Sequence, residues 1–106
     1  MKINSYGEQF DVYPVITEYG NNGNLAIVLI DRTDGAPFGN LTVNTDQKLP
    51  PGFACIDVNN IQDAESMIKN YQIGKPTSMM IRSGFVCYPV YQFDLEALKR
   101  MDPNQE

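Results

Sequence analysis

The 106-residue chain carries a net charge of -5 and contains two cysteines and no histidine. A chain of this length has room for one domain of ordinary small size. Its acidic balance, without any cluster of lysine or arginine, argues against direct binding to nucleic acid or to an anionic membrane. The missing histidine removes the commonest general base and metal ligand.

The first half of the sequence predicts a run of antiparallel strands. The segment 10–19 contains a strand-like run, and the Gly- and Asn-rich stretch 20–24 predicts a tight reversal after it. The continuously apolar, β-branched run 25–30 predicts a strand that is buried on both faces, at the middle of the sheet. After a turn at 31–39, the alternating segment 40–44 predicts a half-exposed strand that returns antiparallel.

The third quarter of the sequence predicts one more strand and then a helix. A Pro-Pro-Gly elbow precedes the strand expected at 53–57. Apolar residues at helical spacing follow from Ile61 to Tyr71, where Asn60 is the expected cap and Gly74 marks the end.

The last quarter predicts a strand and a short helix. The segment 75–84 mixes apolar residues with Pro, Ser and Gly, and is compatible with either a strand or an exposed loop. The segment 85–93 predicts a strand, and Asp94 is expected to cap a short terminal helix. We therefore expect an α+β fold: a mainly antiparallel sheet of about five strands, one helix after the fourth strand and a short C-terminal helix. Residues 1–102 would form a single domain and 103–106 a flexible tail.

The two segments 10–19 and 85–93 both contain Tyr-Pro-Val, at Tyr13 to Val15 and at Tyr88 to Val90. Proline has no amide hydrogen for a sheet ladder, so each run should be an edge strand, a bulged strand or a loop that binds a partner or ligand. Alternation places Tyr and Val of each triplet on one face and Pro on the other.

The sequence offers no recognisable catalytic, metal or cofactor site. Cys55 and Cys87 stand among apolar residues, which is typical of buried, reduced thiols. The stretch from Asp57 to Asp63 lacks the glycine and the final glutamate of a calcium loop. No Gly-rich phosphate loop precedes a helix. We therefore predict that the protein is not an enzyme, binds no metal and uses no cofactor. No apolar run reaches the length of a signal peptide or a membrane helix, so we expect a cytoplasmic protein.

The candidate functional residues are those suited to a protein interface. Tyrosines can act as anchors, carboxylates can meet a basic partner, methionine adapts its shape and arginine offers several donors. The predicted partner-binding residues are Tyr13, Tyr19, Asp31, Asp34, Asp57, Asp63, Glu65, Met79, Met80, Arg82, Tyr88 and Tyr91.

Four phrases, "VYPVITEYGNNGNLAI", "DGAPFGNLTVN", "LPPGFACIDVNN" and "SGFVCYPVYQFDLEALK", resemble the small bacterial proteins of domain-of-unknown-function family 4313. The resemblance covers almost the whole chain in order and brings no catalytic residues with it. It implies a setting in conjugative elements and phages, where small acidic proteins often inhibit host defence, including anti-CRISPR and anti-restriction proteins.

Three hypotheses follow. The first is a non-enzymatic interaction protein that inhibits a bacterial defence nuclease such as Cas9 by protein-protein binding, with a homodimer possible through an exposed edge strand. The second is a small-ligand-binding or sponge protein with an aromatic pocket between sheet and helix. The third is an enzyme that uses carboxylates alone; an uncharacterised structural accessory domain is a further alternative.

Overall fold

The computed structural model describes residues 1–104, which form eight strands and two short helices. The elements are β1 (Lys2–Ser5), β2 (Glu8–Glu18), β3 (Leu25–Asp31), β4 (Pro37–Asn40), β5 (Thr42–Val43), β6 (Phe53–Ile56), α1 (Ala64–Asn70), β7 (Gly74–Ser83), β8 (Val86–Phe93) and α2 (Leu95–Met101). No helix in this part of the chain is both long and apolar enough to cross a membrane.

The strands form two antiparallel four-stranded sheets, in the orders β1-β2-β3-β4 and β5-β6-β8-β7. The chain passes from the first sheet to the second at Leu41, whose side chain is fully buried. The α+β class and the antiparallel pairing are thus confirmed, whereas the single sheet of about five strands is wrong. The predicted strand 40–44 instead divides at Leu41 between the two sheets.

The first sheet follows local sequence signals closely. Tyr6 and Gly7 both have positive φ in the β1–β2 connection, as a two-residue turn of type I′ requires. The predicted reversal at 20–24 joins β2 to β3, and its backbone bonds run from Tyr19 N to Asn24 O and from Gly23 N to Tyr19 O. β3 lies between β2 and β4 and is largely buried, so the expected central strand is confirmed.

The prolines of the two Tyr-Pro-Val triplets, Pro14 and Pro89, lie in inner strands but at positions where one neighbouring strand is missing. β1 pairs with β2 only as far as Asp11, and Pro14 pairs only with Leu29 of β3. In β8, Pro89 pairs with Met80 of β7, whereas β6 pairs with β8 only from Val90 onward. Each proline is therefore at a local edge, as its missing amide hydrogen demands.

One hydrophobic cluster draws residues from both sheets and both helices. Its fully buried members include Ile27, Leu29, Ile56, Ile68 and Leu98. α2 packs on β2, and Asp94 caps it as predicted by accepting a hydrogen bond from Ala97 N at 3.1 Å. A smaller cluster of Leu49, Cys55, Ile81 and Val90 lies on the opposite face of the second sheet.

Two local predictions need correction, and the structure resolves one alternative that the sequence left open. α1 begins at Ala64, and Asn60 does not cap it: the backbone N and the amide group of Asn60 both donate to the carboxylate of Asp57. The ambiguous segment 75–84 is mostly the strand β7, because it pairs with β8. Cys87 is exposed, whereas only Cys55 is buried. The predicted tail 103–106 is described as far as Asn104, and 105–106 lie outside the described residues.

Candidate functional site

The five predicted carboxylates lie in two parts of the fold, and each accepts a hydrogen bond within the protein. Asp31 and Asp34 lie in the connection between β3 and β4, where they accept hydrogen bonds from the backbone N of Thr33 and Ala36. These are the short-range bonds by which Asp stabilises turns.

The other three carboxylates lie around α1. Asp57 accepts two hydrogen bonds from Asn60, and Asp63 accepts one from the backbone N of Asn4, which ties α1 to β1. Glu65 accepts a hydrogen bond from the Tyr91 hydroxyl at 2.8 Å. Among residues 1–104 no group of three acidic or cysteine side chains is arranged to hold a metal ion.

Tyr13 and Tyr19 are half-buried and are engaged within the protein. The guanidinium of Arg32 lies over the Tyr13 ring, 5.3 Å from its centroid. The Tyr19 hydroxyl lies 2.9 Å from Thr42 Oγ1 and donates to Thr42 O at 3.2 Å, which links the β2–β3 hairpin to β5. Both tyrosines thus make contacts within the fold.

Tyr88 and Tyr91 point to opposite faces of β8. Tyr88 packs against the smaller cluster, and Tyr91 is buried in the main cluster under α1. Burial, together with the hydrogen bond and charge of Glu65, raises the pKa of Tyr91 to about 12. The predicted tyrosine anchors are therefore distributed over separate places in the fold.

Met79, Met80 and Arg82 do lie together on the surface, at the free end of the β7–β8 hairpin. Met79 and Met80 are 45% and 58% exposed, and Phe85 in the connecting turn is fully exposed. Cys87, directly opposite Arg82, is also exposed. We call these five residues, Met79, Met80, Arg82, Phe85 and Cys87, the hairpin tip. It collects three of the four exposed large hydrophobic residues in the described part of the chain; the fourth is Tyr6.

Two features of the hairpin tip did not enter the sequence predictions. Phe85 was assigned to a strand, but it belongs to a two-residue turn that leaves its ring without neighbours. The second feature was visible in the sequence: residues 66–93 contain three of the eight basic residues and none of the thirteen acidic ones. The remaining chain carries five basic and thirteen acidic residues, a balance of -8.

A cleft of about 870 Å³ lies beside the base of the same hairpin. Its walls include Glu65 and Lys69 of α1, Lys75 and Pro76 of β7, and Tyr91 and Phe93 of β8. At its floor the backbone is close-packed, since a Cβ added at Gly74 would lie 3.0 Å from Gln92 O and 3.1 Å from Phe93 Cδ1. The cleft thus combines charged rims with an aromatic wall.

Comparison with known proteins places the chain in a family without assigning an activity. The model of the domain of unknown function DUF4313 matches residues 15–105. Neither the curated proteins nor the solved structures gave a match. Because the family model covers most of the sequence, from within β2 to beyond α2, this chain belongs to the DUF4313 family.

Proposed function

We propose that the protein is a non-enzymatic protein-binding module and that the hairpin tip is its binding surface. The observation that carries this proposal is the grouping of Met79, Met80 and Phe85, all exposed, at the end of one hairpin. Methionine, aromatic residues and arginine are enriched at protein interfaces relative to the rest of a surface. Isolated exposed apolar residues are ordinary, but a contiguous group is typical of a binding site.

The proposed partner is a bacterial protein, and the proposed effect is inhibition of a defence nuclease such as Cas9. Support for this part comes from the family resemblance and from the setting in mobile elements that this resemblance implies. The five predicted carboxylates lie outside the hairpin tip, in the β3–β4 connection and around α1, and are not part of this proposed surface.

The test compares wild type with a triple variant, Met79→Ser, Met80→Ser and Phe85→Ser. All three side chains are exposed, so the fold should survive, as circular dichroism would check. Tyr6→Asn is the matched control: Tyr6 is 87% exposed in the turn between β1 and β2, and asparagine tolerates its positive φ.

The first measurement is affinity capture of partners from lysate of a bacterial host. The second is a nuclease cleavage assay with each captured enzyme and with Cas9. We expect the triple variant to lose partner binding and inhibition while Tyr6→Asn keeps both. Equal binding by the triple variant would reject the hairpin tip as the binding surface.

The cleft supports a second candidate function, the binding of a small ligand. Its volume is within the range of known ligand sites, and Tyr91 and Phe93 form an aromatic wall opposite Lys69. Native mass spectrometry of the protein with metabolite mixtures tests this candidate. A ligand that binds wild type and is lost in Lys69→Glu would support it; a ligand-free spectrum at every mixture would reject it.

A further inference from the structure

The outer edge of β7 has unpaired backbone groups, and their positions follow from the hairpin geometry. Gly84 and Phe85 form a two-residue turn, with φ +63° at Gly84 as a type II′ turn requires. Ser83 and Val86 therefore exchange backbone hydrogen bonds, and bonded pairs alternate with unbonded ones from there. Met80 and Arg82, which face Pro89 and Cys87, fall in the unbonded pairs.

The N–H and C=O groups of Met80 and Arg82 consequently point away from β8. β7 is the last strand of its sheet, so no strand of residues 1–104 lies on that side. Proteins usually protect such an edge with a proline, a bulge or a short length. β7 does so only between Pro76 and Met80, where the register shifts and Ser78 has φ +64°. The stretch from Met80 to Ser83 is regular and open.

The charge at this edge is positive and uncompensated. Arg82 donates from Nε to Gly84 O at 3.2 Å, and within residues 1–104 it forms no ion pair. Along the chain, Arg82 lies in the segment 66–93, which contains two lysines and no carboxylate, so neither strand of its hairpin carries an acidic side chain. An incoming strand with acidic side chains would therefore meet attractive charge, whereas a basic strand would be repelled.

A second copy of the chain fits this edge less well. In a two-fold pairing of β7 with itself, two acid-free hairpins would lie side by side. The two Arg82 side chains would then lie on the same sheet face, directly opposite or diagonal to one another. Like charges in such positions destabilise a strand pair.

We propose that the hairpin binds its partner by strand addition: an extended acidic segment of another protein pairs with β7 along Met80–Ser83. This inference rests on the proposed function and specifies its partner. In the bound segment an acidic side chain lies opposite Arg82, and an apolar side chain two residues away lies opposite Met80. The backbone groups of Met80 and Arg82 provide the hydrogen bonds, as in other strand-addition complexes.

The experiment uses three short synthetic peptides. The first repeats Thr-Asp-Thr-Val, so that aspartate and valine alternate along one face and can lie opposite Arg82 and Met80. The second has lysine in place of aspartate, and the third is the aspartate peptide N-methylated at its aspartates and valines. We expect the aspartate peptide to bind and the lysine peptide to bind about tenfold more weakly, because an attractive cross-strand charge becomes repulsive. N-methylation should abolish binding because it removes the hydrogen bonds to the β7 edge.

Arg82→Glu should reverse the preference between the aspartate and lysine peptides, whereas Arg100→Glu should leave it unchanged. Arg100 is the matched control because it is an exposed arginine on α2, which packs against the first sheet. By NMR, the amide hydrogens of Met80 and Arg82 should exchange quickly in the free protein and slowly with the aspartate peptide, while those of Ile81 and Ser83 exchange slowly in both.

Three outcomes would overturn strand addition. The first is that the N-methylated peptide binds as tightly as the unmodified aspartate peptide. The second is that a single-stranded oligonucleotide binds as tightly as the aspartate peptide or more tightly. The third is a dimer in sedimentation, with the amide hydrogens of Met80 and Arg82 protected from exchange in the absence of peptide. If any one of these occurs while the triple variant at Met79, Met80 and Phe85 still loses its host partner, the proposed function stands and only strand addition as the mode of binding is wrong. Retention of the partner by the triple variant rejects the proposed function itself.

Discussion

Tyr91 should make the stability of the protein fall at high pH. Its side chain is only 7% exposed, and its hydroxyl donates to Glu65 Oε1 at 2.8 Å. Burial first, and then the hydrogen bond and charge of Glu65, raise its pKa from 10.0 to about 12. The folded protein thus holds the phenolic proton more tightly than the unfolded chain does. The resulting stabilisation is complete below pH 10 and is lost as the pH rises through 12.

The magnitude follows from the two pKa values. A difference of two pKa units corresponds to about 2.7 kcal/mol when both states are ionised. Near pH 11, the unfolded tyrosine is mostly ionised and the folded one mostly protonated, so about half of this, roughly 1.4 kcal/mol, is lost. Tyr91→Phe keeps the ring and has no such proton. The advantage of wild type over Tyr91→Phe should therefore shrink by about 1.4 kcal/mol between pH 8 and pH 11.

Urea denaturation of both proteins at the two pH values measures this change, and NMR of the tyrosine rings follows Tyr91 itself. Glu65→Gln should lower the pKa of Tyr91 yet leave it above the ordinary value, because burial makes the largest contribution. A stability difference between wild type and Tyr91→Phe that does not change with pH would refute the reasoning.

Three further predictions concern the Tyr19 hydroxyl, the close packing at Gly74 and the reactivity of the two cysteines. Tyr19→Phe should lower the free energy of unfolding, measured by urea denaturation, by about 1 kcal/mol because two contacts to Thr42 are lost. Tyr13→Phe is the control: the Tyr13 hydroxyl has no partner within residues 1–104, so its removal should change the free energy of unfolding little. Gly74→Ala should destabilise by about 1–3 kcal/mol through overpacking; thermal melts should show no such loss for Gly20→Ala, where the added methyl group meets open space. In the native protein a thiol reagent should modify Cys87 quickly and the other, buried thiol slowly, since burial also raises the pKa of that thiol; equal rates, read by mass spectrometry, would contradict this.

Local patterns in the sequence predicted the elements that depend on neighbouring residues. The apolar run of β3, the reversal before it and the Asp94 cap were correctly predicted because burial periodicity and turn chemistry act over a few residues. The start of α1 was wrong because the Asp57 carboxylate binds Asn60 in a turn and competes with the expected cap.

β7 shows where local patterns are insufficient. Most of its residues are exposed, so its sequence lacks the alternation of a half-buried strand, and only pairing with β8 makes it a strand. The division into two sheets was missed for a related reason: Leu41 is buried where the chain changes sheets, and a buried leucine is equally compatible with a continuous strand.

The residues of the candidate site were also predictable from the sequence only in part. Met79, Met80 and Arg82 were predicted from residue type, and the absence of acidic residues from 66 to 93 was readable in the sequence. The contacts of Tyr19, Tyr91, Asp63 and Glu65 depend on partners far away in the chain, such as Thr42 for Tyr19 and Asn4 for Asp63. Asp31, Asp34 and Asp57, in contrast, accept hydrogen bonds from residues two or three positions later.

The sequence by itself determined the buried strand β3, the reversal before it, the Asp94 cap and the uneven distribution of charge, because these depend on residue type and short-range spacing. Only the tertiary structure decided which strand keeps a free edge and which apolar side chains stay in water. Both properties follow from the pairing of strands that are distant in sequence, and the exposed edge of β7 beside Met80 and Arg82 is their result.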